Sequence, residues 1–291
     1  GNEYGLSHAE MCSRVEAEMN VLPENNWFTK EYCSRFSGVL IVDGKYVKVK
    51  GYKKKVVFIY GIDYKSHDII TTLLAPSENE EAFRKFFGLV KTVGYPLHVA
   101  VTDDRSSLVP ALNYVFPKAL RQLCLNHYLE NIRESLHVRT EPTHQSFFHD
   151  LEKRVFKPDV LQKVRNLRLH EIMVKHAQKN IVYQAILMDI FKRRHELFLY
   201  IHIPDCPRDT NLIELFNSHL QARLKSIKGF QYFESASRWL NAYVLRRRTL
   251  PFTDCEEKFK YLNGHASLEY TLKKQTSLPE ILLKNALKSE R

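Results

Sequence analysis

Three acidic positions, far apart along the chain, stand in settings that demand a reason. Asp43 ends the apolar run Val39-Leu40-Ile41-Val42, and an unpaired carboxylate buried at such a place is costly. Asp103 and Asp104 follow a second apolar stretch that ends at Thr102. Glu214 falls in the first turn of an amphipathic helix expected from Thr210 to Ile227. Carboxylates that meet at one sheet edge will not share a site without a cation, and hard oxygen ligands suit Mg²⁺ or Mn²⁺. Two such ions, roughly 3.5–4 Å apart, activate a water or a 3′-hydroxyl and stabilise the leaving oxygen in phosphodiester chemistry.

Each position also has a plainer reading. Asp43-Gly44 is a favoured hairpin dipeptide. Asp103 suits the cap of a helix beginning near Ser106. Glu214, three residues after Asn211, fits a capping box. Cys124 and His127 form a Cys-x-x-His pair, which as half of a zinc site is incomplete without further ligands. The bland alternative is a small buried thiol and a hydrogen-bonding imidazole at a helix start.

The elements needed to position these residues can be read from periodicity. Gly38 to Val49 starts fully apolar and then alternates, as a strand buried on both faces and then on one. Val56 to Ile62 and Asp68 to Leu74 read as further strands, and their short connections imply antiparallel hairpins. Apolar residues at 82, 83, 86, 87, 90 and 93 predict a helix over Asn79 to Val93. Pro96 to Thr102 is a fourth strand, Ser106 to Val115 a helix, Ala119 to Leu123 a strand, and Asn126 to about Leu136 a helix. The order β-β-β-α-β-α-β-α describes a mixed α/β sheet covered on both faces, the order of a ribonuclease-H-like fold. In it the first and fourth strands are neighbours, so Asp43 and Asp103 can converge. Doubly wound nucleotide-binding folds start βαβ, and no Gly-rich phosphate loop is present.

The expected organisation has five parts. Residues 1–37 form a helix from Ser7 to Met19 and a linker, read as the remnant of an upstream DNA-binding region or, equally, as a simple packing arm. Residues 38–138 are the first part of the core. Residues 139–208, rich in Lys, Arg, Leu and His, form an all-α insertion before the Glu-bearing helix. Residues 209–250 complete the core with helices over 210–227 and 232–248, and residues 251–291 form a C-terminal arm.

Composition narrows the partners. The 291 residues are 44% apolar and 26% charged, ordinary for a globular chain. No apolar run approaches the ~18 residues that span a bilayer. Five cysteines, an odd number at irregular spacing, form no disulfide framework and point to a reducing compartment. Lys plus Arg total 44 against 33 acidic residues, a net charge of +11, which favours a polyanion, nucleic acid before an anionic membrane. The cations cluster. Lys45, Lys48, Lys50, Lys53, Lys54 and Lys55 crowd the first hairpin, and Arg223, Lys225, Lys228, Arg238, Arg246, Arg247 and Arg248 follow Glu214. Such strips can track a phosphate backbone; a solvated face, or a basic helix C-terminus for residues 246–248, is the plainer alternative.

Three blocks carry a resemblance. Val101-Thr-Asp103-Asp-Arg-Ser-Ser-Leu108, then Val115-Phe-Pro-Lys-Ala, then Gln122-Leu-Cys124-Leu-Asn-His127-Tyr-Leu-Glu-Asn131 resembles the second-aspartate block of Mutator-type transposases, prokaryotic and eukaryotic. Asp43-Gly-Lys-Tyr-Val-Lys-Val resembles the first-aspartate strand. Thr210-Asn211-Leu-Ile-Glu214-Leu-Phe-Asn217, followed by Gly229-Phe-Gln-Tyr-Phe-Glu-Ser-Ala236, resembles the third-acid block. The family usually has Asp-Gly where this chain has Asp103-Asp104, and Asp103 is the position that matches.

The resemblance implies a ribonuclease-H-like core with an α-helical insertion, a triad of Asp43, Asp103 and Glu214 binding two Mg²⁺ or Mn²⁺ ions, and supporting roles for Cys124, His127, Asn131 and Asn211. It implies cleavage of double-stranded DNA at transposon ends and attack of the freed 3′-hydroxyl on target DNA. Lys48, Lys50, Lys53–Lys55, Arg223, Lys225, Lys228 and Arg246–Arg248 would hold that DNA. A homodimer or higher assembly is expected, since two ends must be paired, in the cytoplasm at the nucleoid of a prokaryote or the nucleus of a eukaryote. Two other readings stay open: a catalytically inactive, domesticated DNA-binding protein, and a structure-specific nuclease on the same fold.

Overall fold

The computed structural model describes residues 7–157, 161–178 and 180–274. The last part of the expected C-terminal arm, 275–291, and residues 1–6 of the N-terminal segment lie outside the described residues. Five strands, β1 (Val39–Val47), β2 (Val56–Asp63), β3 (Ile69–Ala75), β4 (Val99–Thr102) and β5 (Leu120–Leu123), form one mixed sheet in the order β3-β2-β1-β4-β5. The chain divides into two compact units. The first takes residues up to His98, Ser106–Ala119 and everything from Asn211; the second takes Val99–Arg105 and Leu120–Thr210.

In the first unit, β1 pairs antiparallel with β2 from Leu40↔Asp63 to Val47↔Val56, and β2 with β3 from Val57↔Ala75 to Ile62↔Ile69. Every residue of β2 is buried, as its unbroken apolar run requires of a strand covered on both faces. Asp43 pairs with Tyr60 and Gly44 with Ile59, so Asp43-Gly44 lies within the strand and is no hairpin turn. Glycine is needed at 44 because a Cβ would come within 2.9 Å of Val57 Cγ2.

The helices of this unit are α1 (His8–Asn20), α2 (Asn25–Tyr32), α3 (Glu80–Thr92), α4 (Leu108–Val115), α10 (Asn211–Ile227), α11 (Phe233–Thr249) and α12 (Ser267–Thr271). Ser7 caps α1 with Glu10 in a capping box, and Asn79 caps α3 through Ala82 N. α4 starts at Leu108 after Ser107, so Asp103 is not its cap. α10 takes Asn211 as its first residue.

α2 is the element the sequence does not announce. Its Asn25 and Asn26 are buried and bond to the β3 backbone: Asn26 Nδ2 donates to Thr72 O, and Asn26 Oδ1 accepts from Thr72 N, both at 2.9 Å. Beneath it lies a fully buried ion pair. Arg248 Nε and Nη2 each donate to Asp68 at 2.8 Å. The remaining guanidinium hydrogens reach Asn25 Oδ1, Thr29 Oγ1 and Cys33 Sγ, while Asp68 also accepts from Ser267 and Thr271. Burying two charges is tolerable when all their hydrogen bonds are met, and this pair ties α2, the β2–β3 turn, α11 and α12 together.

The second unit carries β4 and β5, parallel from Val99↔Leu120 to Thr102↔Leu123, and α5 (Leu125–Ser135), α6 (Gln145–Asp150), α7 (Gln162–Ile172), α8 (Ile181–Lys192) and α9 (Arg194–Leu197). It has its own core, in which Tyr128, Ile132, Phe147, Leu151, Ile172 and Leu187 are buried and Phe147 stacks on Tyr183 at 3.9 Å. α6 and α7 run on into π-helical turns, Leu151–Val155 and Met173–Ala177. Gln122, buried on β5, donates to Leu197 O and accepts from Tyr200 N, which anchors the end of the helical stretch to the strand.

Arg248→Ala strands the Asp68 carboxylate in the interior and is expected to cost about 3–5 kcal/mol, read from urea unfolding. His67, in the β2–β3 turn, packs its ring at 4.3 Å from that of Phe259, and burial, then the charge of Arg247, lowers its pKa to about 4. A base depressed in the folded state contributes stability above its ordinary pKa, and loses it as pH falls through the folded value. Stability should therefore drop by up to about 3 kcal/mol between pH 7 and pH 4 from this residue, and urea midpoints of His67→Asn should show a shallower acid decline.

Candidate active site

Asp43 sits half-buried on β1. Its Oδ1 accepts from Gly44 N at 2.7 Å and its Oδ2 from Asn217 Nδ2 at 2.6 Å. Asn217 lies three residues beyond Glu214 on α10, so the two share a side of the helix. Ile213, Phe216 and Leu220 bury the apolar stripe of α10, and Glu214 is exposed. Tyr60, opposite Asp43 in the ladder, has its phenol pKa pushed well up by burial and by Asp43. It therefore stays protonated and donates to Asn217 Oδ1, which turns the Asn217 amide nitrogen toward Asp43. Asn217 is thus a positioning residue, a role that its place in the third-acid block does not reveal; its spacing from Glu214 is the signal that could have found it.

The second unit handles the adjacent aspartates in opposite ways, as neighbours at a strand end do. Asp104 is held bidentately by Arg193, at 2.6 Å to each oxygen, and by Arg121 at 3.4 Å. The bond from Arg193 holds its carboxyl below the usual range. Asp103 turns instead to α5. His127 Nδ1 lies 2.7 Å from Asp103 Oδ1, a charge contact rather than an aligned hydrogen bond, and 3.2 Å from Cys124 Sγ. Asp103 first and Cys124 second raise the imidazole pKa, to about 11. Thr210 Oγ1 donates to Cys124 Sγ at 3.2 Å. Cys124 and His127 thus surround Asp103, whereas Asn131 is exposed further along α5 and Asn211 exposed at the start of α10.

The segments that carry the two basic clusters meet in the first unit. Lys50 N donates to Phe230 O at 2.8 Å and Phe230 N to Lys48 O at 2.9 Å, so the segment after α10 is stitched to the end of β1. Gly229 permits this with φ +127°, where a Cβ would meet Lys48 O at 3.2 Å. Lys48, Lys50, Lys53, Lys54, Lys55, Arg223, Lys225, Lys228 and Arg246 are exposed. Arg247 is half-buried over the Phe252 ring at 4.2 Å. Arg248 corrects its assignment to a DNA surface: it is buried against Asp68 and presents no atom to a phosphate.

The family model for "Transposase, Mutator family" matches residues 6–249. The chain belongs to the Mutator family of transposases. Among its relatives, the transposase for insertion sequence element IS256 in transposon Tn4001 of Staphylococcus aureus is 24% identical over 230 residues, covering 76% of this chain and 57% of that protein. The same element's transposase in Enterococcus faecalis matches equally. The transposase for insertion sequence element ISRM5 of Rhizobium meliloti is 29% identical over 136 residues, 44% of this chain and 34% of that protein. The chain spans little more than half the length of the first two. Among the described residues, no helix is long and apolar enough to cross a membrane.

Asn217→Ala leaves the buried Tyr60 hydroxyl without its acceptor and Asp43 without its amide. A loss of about 1–3 kcal/mol is expected in urea unfolding, and the Tyr60→Phe, Asn217→Ala double variant should recover part of it.

Proposed function

We propose that this chain is the catalytic region of a DDE transposase, in which Asp43, Asp103 and Glu214 hold two Mg²⁺ or Mn²⁺ ions. The observation that carries this reading is the bond from Asn217 to Asp43, which couples the helix bearing Glu214 to the carboxylate of β1 in a chain of the Mutator family. The donors fit such ions, being carboxylate oxygens rather than soft ligands. Bound there, the ions would activate a water or 3′-hydroxyl and stabilise the leaving oxygen.

The chain's own residues do the positioning. Gly44 N and Asn217 Nδ2 fix the orientation of the Asp43 carboxylate. Arg193 and Arg121 engage Asp104, which leaves Asp103 as the acid of that pair for catalysis. The exposed lysines of the first hairpin and the cations of α10 would neutralise phosphates of double-stranded DNA. In this reading the fold is a ribonuclease-H-like core, 38–138 and 209–250, with 139–208 as an α-helical insertion. The reaction is cleavage at the ends of a mobile element, then attack of the freed 3′-hydroxyl on target DNA. A homodimer or higher assembly would hold two ends, at the nucleoid of a bacterial cytoplasm.

Asp43→Asn, Asp103→Asn and Glu214→Gln should each lower Mg²⁺-dependent nicking of end-containing DNA by at least about 10³-fold, the scale of losing several kcal/mol of metal-borne stabilisation. DNA affinity should remain. Nicking at the unsubstituted rate by Asp43→Asn overturns the reading. Lys50→Gln with Lys53→Gln should reduce the slope of log affinity against log salt by roughly 0.9 for each phosphate that the substitutions leave without a cation, measured by fluorescence anisotropy on duplex DNA.

A further inference from the structure

The surroundings of Asp103 contain chemistry that a carboxylate triad does not use. A thiol, an imidazole nitrogen and a carboxylate oxygen, from Cys124, His127 and Asp103, all lie within 4.8 Å of one another in the second unit. Cys124 is buried and His127 and Asp103 are half-buried. From these we infer that Asp103, Cys124 and His127 form a binding site for one thiophilic divalent ion, Zn²⁺ by chemical class, sharing only Asp103 with a hard-metal triad.

Geometry supports it. Tetrahedral zinc, with Zn–S about 2.3 Å and Zn–N and Zn–O about 2.0–2.2 Å, spaces neighbouring ligand atoms by roughly 3.4–3.6 Å. His127 Nδ1 stands 3.2 Å from Cys124 Sγ and 2.7 Å from Asp103 Oδ1, so the imidazole would draw back by roughly 0.3 Å from the thiol and roughly 0.7 Å from the carboxylate to reach that spacing. Asp103 Oδ1 is buried, and among the described residues no aligned hydrogen bond occupies it. Cys124 is the N-cap of α5. The Cys-x-x-His spacing puts both ligands on the first turn of that helix. Thr210 Oγ1 lies 3.2 Å from Sγ and 3.4 Å from Nδ1, a hydroxyl beside both ligands.

Thiolate and imidazole select Zn²⁺ over Mg²⁺ by softness. The ion would take the same carboxylate that the catalytic reading assigns to Mg²⁺. Zinc would then act as an inhibitor that withdraws Asp103, a consequence that rests on that reading although the binding site itself does not.

The test uses Co²⁺ as a spectroscopic stand-in for Zn²⁺ on the 291-residue chain. One equivalent should give an intense sulfur-to-cobalt charge-transfer band, displaced by one equivalent of Zn²⁺. Because four other cysteines are present, the band must vanish in Cys124→Ser. Zn²⁺ affinity, by competition with a chromophoric chelator, should fall at least about tenfold in His127→Gln, and the band should persist unchanged in Asp43→Asn. Circular dichroism checks that each variant is folded. No thiolate band in the unsubstituted chain, or an undiminished band in folded Cys124→Ser, overturns the proposal. A chain that binds cobalt through Cys124 but never nicks DNA keeps this site and sinks the transposase reading; a nicking chain without the band does the reverse.

Discussion

A carboxylate at the end of an apolar strand survives only if its oxygens are met in fixed directions, and in this chain that requirement organises the first unit around Asp43. The causes run in order. The β1–β2 register sets Tyr60 opposite Asp43. Burial keeps the phenol protonated, so it must donate, and the acceptor it finds is the Asn217 carbonyl. The other end of that amide can then only donate, and it donates to Asp43. The rotation of α10 follows: its apolar stripe goes inward, Asn217 stays half-buried at the boundary, and Glu214 is left facing out. A hydrophobic core alone would tolerate small rotations of α10; a directional amide does not.

In the second unit the same economy of polar groups separates two adjacent acids. Asp104 is neutralised by two arginines, one on β5 and one at the end of α8. Asp103 is bordered by groups that change character with what they bind, an imidazole and a thiol. An acid locked in a strong bidentate ion pair is a poor ligand, because releasing it exposes two unpaired guanidinium faces.

Much of this was legible in the sequence because periodicity reports burial. The strands, α3, α10 and α11 lie within a few residues of where their apolar patterns place them. The failures have physical causes. Asp-Gly is a turn signal only when the flanking ladder stops, and the alternation that carries the strand past Gly44 overrides it, with β1 running on to Val47. α2 is short, and three of its four buried residues, Asn25, Asn26 and Thr29 beside Phe28, are polar, so no apolar stripe betrays it. The run of three arginines hides an inward member. Ala236, Leu240, Val244 and Arg248 recur at intervals of four and all are buried, so Arg248 continues a core stripe that a reading of charge alone passes over. No feature of the sequence separates Asp103 from Asp104 by environment, since Arg193 is about ninety residues away.

The Asp68–Arg248 pair has a consequence for biosynthesis. Asp68 leaves the ribosome 180 residues before Arg248 and 203 before Thr271. At about 5–20 residues per second, that interval is roughly ten to forty seconds. Throughout it the nascent hairpins hold an acid with no counter-charge, and they can only wait, hydrated and unlocked, with the whole second unit emerging in between. The early strands therefore gain their counter-charge only when the final helices arrive to close the knot.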